Sequence, residues 1–298
     1  MRPAALVSCF CLVASYLHAQ EVGAVFPSGI QTTNGAVTMT FSAREGMSVG
    51  VPVTGKPYSA QQVHESVQTL ADGTHIRRNE QTVMMYRDSL GRTRTERAMM
   101  GGPYMTDQPK YVQIVDVVGG YQYTIDDVNR VAHRVAIQVR QPIQPAARRP
   151  APSAAGMGAA TAGAGVASRI VAAGPLGPSS GRPRPEIQNE DLGTQIIEGV
   201  TAHGRRMTQT WPVDSVGNDR PIVSVNEFWS SDQLGGIMVL SKNSDPRSGE
   251  STTALKNISL AEPDPALFQP PPGYQIVDEN GPFKISVPST QTQTAPAK

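Results

Sequence analysis

Cysteine is almost absent: the 298 residues hold two, Cys9 and Cys11, both within the first dozen positions. Residues 1–19 carry one positive charge, Arg2, followed by an apolar run from Ala4 to Leu17 and a small residue, Ala19, before Gln20. That is the layout of a secretory signal peptide. Cleavage after Ala19 removes both thiols, so the exported chain has no thiolate nucleophile, no cysteine ligand for zinc and no disulfide. Charge of one sign is missing as well. The formal net charge is +1, and aromatics make up 5% of the chain. A nucleic-acid surface needs a basic excess interleaved with stacking rings, so nucleic acid is excluded as a partner. After the leader no apolar run reaches the roughly 20 residues of a membrane-spanning helix. Long helical periods are also lacking, and 28 Gly with 25 Pro work against a helical bundle.

The Gly and Pro concentrate in one place. Residues 141–185 read QPIQPAARRPAPSAAGMGAATAGAGVASRIVAAGPLGPSSGRPRP, with no aromatic and no acid. Such a stretch cannot bury enough apolar surface to offset the entropy of ordering it, so a disordered Ala/Gly/Pro linker is expected. Between Val128 and Pro185 stand eight arginines and no acid, whereas residues 186–298 carry a net −6 and residues 20–127 a net −2. The Arg-containing linker can therefore touch an anionic envelope surface, or serve only as a solvated tether.

On either side of the linker the pattern is that of strands. Val37, Met39 and Phe41 alternate with polar neighbours, as do Val131, His133, Val135, Ile137 and Val139. Turn residues fall between such runs at Asp72-Gly73, Ser89-Leu90-Gly91, Gly119-Gly120 and Asp126 to Asn129. Strands are expected over Arg205–Trp211, Ile222–Ser230, Ile237–Asn243 and Glu250–Leu260. Ser59–Gln68 fits either a short helix or a strand. The expected fold is mainly β: an antiparallel meander forming a curved sheet or half-open barrel. A leader (1–19), an N-terminal β lobe (20–140), the linker (141–185), a C-terminal β lobe (186–283) and a flexible tail (284–298) divide the chain. Each lobe alone is short of large apolar residues, so the C-terminal lobe is expected to complete the sheet of the first.

Catalytic patterns are missing. His64-Glu65-Ser66-Val67-Gln68 lacks the second histidine that a zinc helix needs one turn on. Asp126, Asp127 and Asn129 lack the spacing and glycine of a calcium loop and read as a hairpin turn. No nucleophile elbow or phosphate-cradling loop is present, and neither a metal nor a cofactor is implied. His133, on the apolar side of its strand, reads as a core histidine with one hydrogen-bond partner. The arginines 77, 78, 87, 92, 94 and 97 read as a solvated hairpin with cross-strand acid pairs. Along Ile222–Ser230, alternation points Val223, Val225, Glu227 and Trp229 the same way. A carboxylate there needs a partner, with Arg205 and Arg206 on the preceding strand as candidates. Glu227 is then either a polar anchor inside a ligand cavity or part of a structural ion pair.

The C-terminal series resembles the ending of periplasmic lipoprotein-carrier-like proteins. It runs from Asn226-Glu227-Phe228-Trp229-Ser230-Ser231-Asp232 through Ile237-Met238-Val239-Leu240 and Gly249–Ile258 to Pro265-Ala266-Leu267-Phe268 and Pro271-Pro272-Gly273-Tyr274. The stretches Gly55–Ala60, Leu70–Gly73 and Tyr86–Arg94 resemble a group of uncharacterised bacterial secreted proteins. The carrier resemblance implies a half-open antiparallel barrel whose concave apolar face shelters acyl chains. It brings no catalytic residue, and the long insertion departs from it. The expectation is an exported, periplasmic or secreted, non-enzymatic protein. It binds a lipid or other apolar ligand at Val223, Val225, Glu227 and Trp229, or else acts as an envelope interaction or scaffold protein with a packed sheet. The exported form should begin near Gln20; N-terminal sequencing that finds Met1 on it overturns the leader. Replacing Ala151–Ser180 with a short Gly/Ser stretch should leave the melting temperature within a few degrees, because closure entropy varies slowly with loop length.

Overall fold

The structure, a computed structural model, describes residues 25–33, 36–44, 46–70, 72–98, 110–140 and 183–288. The expected leader and all but the last three residues of the expected linker lie outside them. In the N-terminal half, β4 (Tyr58–Thr69), β5 (His75–Arg87), β6 (Thr93–Ala98), β7 (Lys110–Asp116), β8 (Tyr121–Asp126) and β9 (Val131–Val139) form a meander. Each strand is antiparallel to the next. Ser59–Gln68, readable as helix or strand, lies within β4. Beyond residue 185, β10 (Glu186–Ile197), β11 (Val200–Trp211), β12 (Ile222–Ser231), β13 (Ile237–Asp245) and β14 (Gly249–Ser259) form a second meander.

The two meanders are one sheet. β14 runs antiparallel to β4, from Glu250 opposite Val67 to Ser259 opposite Ser59. At the far edge two short strands, β3 (Met47–Val49) and β15 (Gln275–Asp278), add to β9 in parallel. Three further strands, β1 (Val25–Thr33), β2 (Ala36–Ala43) and β16 (Phe283–Pro288), make a small separate sheet in the order β1-β2-β16.

Among the described residues the large sheet is not closed, since β10 pairs there only with β11. It does curl. The Glu198 carboxylate in the β10–β11 turn accepts from the Asn257 backbone N–H and from Lys256 Nζ, both at 3.2 Å. Yet β12 and β13 lie between β11 and β14 in the sheet. A flat sheet could not bring that turn and that strand end together.

Around the β7–β9 end the core has two layers. The small sheet covers one face: Val37, Met39, Phe41, Phe283, Ile285 and Val287 are buried against Tyr111 and Val135. Phe41 stacks on Phe283 at 5.2 Å and meets Tyr111 edge-on at 5.4 Å. His133 stacks on Phe283 at 4.3 Å, and its Nδ1 lies 2.8 Å from Glu279 Oε1, the single partner expected of it. On the other face Phe268, at the end of a 3-10 turn over Pro265–Phe268, sits among Val112, Ile114, Tyr123, Ile125 and Ala132. Asp126 closes its hairpin by accepting from the backbone N–H groups of Val128 and Asn129.

Two expectations change, and one strand forms that alternation does not announce. Residues 284–288 are not tail: they form most of β16, where Ile285 and Val287 are buried. The chain from Glu186 carries no clean alternation, yet it forms the 12-residue strand β10. Its backbone bonds to β11 hold it, and of its side chains Leu192 and Ile197 pack against the cluster around Trp229. Arg87 is not solvated either. It is 2% exposed, lies 4.9 Å over the Tyr58 ring, and donates to the carbonyls of Lys56 and Leu234. Burial pulls its guanidinium below the usual range, with Tyr58 opposing. Ending the chain at Gly281 removes three buried side chains, each worth about 1.5–3 kcal/mol. That truncated chain should melt well below the full one. Equal melting in calorimetry would show that β16 contributes nothing.

Candidate functional site

The alternation of β12 gives it two unlike faces. Register places Trp229 opposite Gly204, Glu227 opposite Arg206, Val225 opposite Thr208 and Val223 opposite Thr210 on β11. Trp229 is 7% exposed and belongs to a packed cluster with Val200, Ala202, Leu234, Val239 and Leu255, joined by Tyr58, Ala60 and Met85 of β4 and β5. Its ring lies directly over Gly204, where a Cβ would sit 2.5 Å from Trp229 Cζ3. Glycine is required there by contact, not by backbone angle.

Two positions further back on β12, Glu227 Oε1 accepts from Arg206 Nε at 2.9 Å and Nη2 at 2.7 Å, while Arg206 Nη1 reaches Glu190 Oε2 at 2.8 Å. These hydrogen bonds, that to Glu227 first, hold the Arg206 guanidinium above its usual range. Of the two candidate partners for Glu227, the structure selects Arg206. Val225 is half-buried, and Val223 is 44% exposed at the strand's open end. The four expected residues share a face, but that face grades from solvent at Val223 through an ion pair to packed core at Trp229.

The opposite face carries a different set. Phe228 lies across from Arg205, and Arg205 from Asp191; Met207 lies across from Asn226 and Asn189. Asn189, Asp191, Arg205, Met207 and Phe228, with Glu190 and Arg206, line a groove of about 500 Å³ that is open to solvent. Met207 and Phe228 are its apolar lining. The same face continues along the strands to Ile187, Trp211 and Ile222, and Ile187 is 56% exposed.

The expected residues Val223, Val225, Glu227 and Trp229 lie on the odd-numbered side of β12, and Phe228 lies on its reverse. Phe228 and Met207 were legible as the even and odd members of the reverse pattern. What hid them was the weak alternation of β11, where Arg205, Met207 and Gln209 look no more apolar than their neighbours. Among the described residues no group of three or more His, Cys, Asp or Glu side chains is arranged to hold a metal. No helix there is long and apolar enough to cross a membrane.

The chain matches no family model and no curated protein. Among solved structures it is similar to LprF from Mycobacterium bovis, at 10% identity and a TM-score of 0.25 over 70% of this chain and 90% of that one. A protein from Parabacteroides distasonis is similar at 11% identity and a TM-score of 0.20, over 79% of this chain and 92% of that one.

Packing on the Trp229 side sets a measurable order of costs. Trp229→Ala should destabilise folding by about 3–5 kcal/mol through cavity formation, and Gly204→Ala by about 1–3 kcal/mol through overpacking. Val223→Ala should stay within about 0.5 kcal/mol. Denaturant melts of the three variants check the order, and an unchanged midpoint for Trp229→Ala would contradict a packed face.

Proposed function

We propose that this is an exported, non-enzymatic binding protein, periplasmic or secreted, that shelters an apolar ligand on the open end of its curled sheet. One observation carries the reading: the groove over Met207 and Phe228 at the uncovered end of the sheet. Its volume of about 500 Å³ falls within the range of about 300–1,000 Å³ common to small-molecule sites. The β7–β9 end offers no such room, because the small sheet fills one face and the Phe268 segment the other. In this reading Val223, Val225, Glu227 and Trp229 are the wall behind the groove. Trp229 anchors β11 to β12, and Glu227 fixes Arg206, so the ligand meets the reverse side of the strand they stiffen. The leader-like N-terminus supports export, and the absence of a catalytic constellation from the sequence supports binding without chemistry.

A second reading, an envelope interaction or scaffold protein, is favoured by a different feature. Among the described residues no strand pairs with the outer edge of the 12-residue β10, and an exposed edge can accept a strand from a partner. The bulge between Asp191 and Gly193 and the charges of Glu186, Glu190 and Asp191 blunt that edge, which is why the groove is preferred.

Titration with diphenylhexatriene, a neutral apolar probe that fluoresces out of water, separates the two. Wild-type protein should bind it saturably. Phe228→Ala should weaken binding by about 1–3 kcal/mol without lowering the denaturation midpoint as Trp229→Ala does. Absence of saturable binding by folded wild type removes the ligand-carrier reading and leaves the edge.

A further inference from the structure

The groove is lined by Met207 and Phe228 together with two cations, Arg205 and Arg206, and two carboxylates, Glu190 and Asp191. The structure partners these four unequally. Arg206 is saturated by Glu190 and Glu227. Asp191 lies directly across from Arg205, yet its Oδ1 accepts from the Gly193 backbone N–H at 2.7 Å, turned back into the bulge of its own strand. Gly193 is in the left-handed region at φ +73°, and the bulge it permits is what aims that carboxylate along β10. Arg205 is exposed, and among the described residues no ion pair or hydrogen bond holds its side chain. It stands beside Phe228 in register, with His203 two residues away on the same strand face.

An uncommitted guanidinium at the mouth of an apolar groove selects a ligand that is apolar along its length and anionic at one end. We infer that the groove takes a single-chain amphiphile with a carboxylate head, a long-chain fatty acid, and that Arg205 is the residue that recognises the head. The acyl chain lies on Met207 and Phe228 and follows the same face toward Ile187, which is exposed. The planar fork of Arg205 receives both carboxylate oxygens. Asp191 works against the anion, so the site favours one negative charge and not two. This inference rests on the apolar-ligand reading above and adds to it the chemistry of the head.

The test uses the full chain loaded with diphenylhexatriene and displaced by palmitate or by cetyl alcohol, both below their aggregation concentrations. Palmitate should displace the probe at about tenfold lower concentration than the alcohol, the worth of one charge-assisted hydrogen-bonded contact. Arg205→Gln should erase that difference and leave displacement by the alcohol unchanged. Phe228→Ala should weaken both, and Arg220→Gln should change neither. Melting temperatures equal to wild type establish that Arg205→Gln is folded. Equal displacement by acid and alcohol in the wild type, or a preference for palmitate that survives Arg205→Gln, overturns the role of Arg205 while the apolar-ligand reading stands. Displacement by excess acetate alone overturns the requirement for a chain. Failure of the probe to bind at all overturns both readings.

Discussion

The pairing of β14 with β4 is the constraint on which everything else in this structure depends. Residues almost two hundred positions apart, Ala254 and Val63, face each other there. The cluster built around that seam draws Tyr58, Ala60 and Met85 from one side and Val200, Ala202, Trp229, Val239 and Leu255 from the other. Neither half supplies enough large side chains to fill that volume alone, as a chain with 5% aromatics must concede. Joining the halves costs loop-closure entropy, but that cost grows only with the logarithm of the intervening length. A long Ala/Gly/Pro segment between the halves is therefore thermodynamically cheap so long as the seam itself is well packed.

The seam also dictates the shape. Leu234, in the segment after β12, accepts a hydrogen bond from Arg87 Nη2 at 2.6 Å, although β13, β14 and β4 intervene between β12 and β5. Together with the Glu198 contact at the end of β14, this means that one end of the sheet folds over its own middle. A charged side chain can be buried there because backbone carbonyls and the Tyr58 ring replace its water. The curl takes in only Leu192 and Ile197 of β10, which pack against the cluster around Trp229, and leaves the rest of that strand exposed. Openness at that end is thus a consequence of closure at the other.

Much of the fold was legible in the sequence, and the reasons for success and failure are physical. Val37, Met39 and Phe41 announced β2 because one side of it is buried and the other wet, which is the condition for clean alternation. Asp126 announced its turn because a short carboxylate caps the N–H groups two and three residues on. Glu186–Ile197 stayed silent because only Leu192 and Ile197 of its side chains pack against the core, five residues apart, too few and too widely spaced to alternate. Arg87 was misread because charge counting treats every arginine as a surface group, and only tertiary structure can surround one with carbonyl oxygens. The final strand escaped because Phe283, Ile285 and Val287 follow Gly281 and Pro282 and precede a polar terminus, so composition suggested a tail.

The candidate site turned on parity. Within a strand the side-chain period is two, so a single-residue choice decides whether Trp229 or Phe228 faces the groove. Counting apolar residues along Ile222–Ser231 does not make that choice, since Val223, Val225 and Trp229 outnumber Ile222 and Phe228. The deciding information sits on β11. Val200, Ala202 and Gly204 shrink along the face that receives Trp229, ending in the one residue small enough to lie beneath an indole ring. Such a taper is the mark of a surface made to be covered by its own chain. The reverse face has no taper, only Arg205, Met207 and Gln209, side chains long enough to flank a groove and too separate to fill it. The smallest residue on a strand is therefore a better guide to its closed face than the largest residue on the neighbouring one.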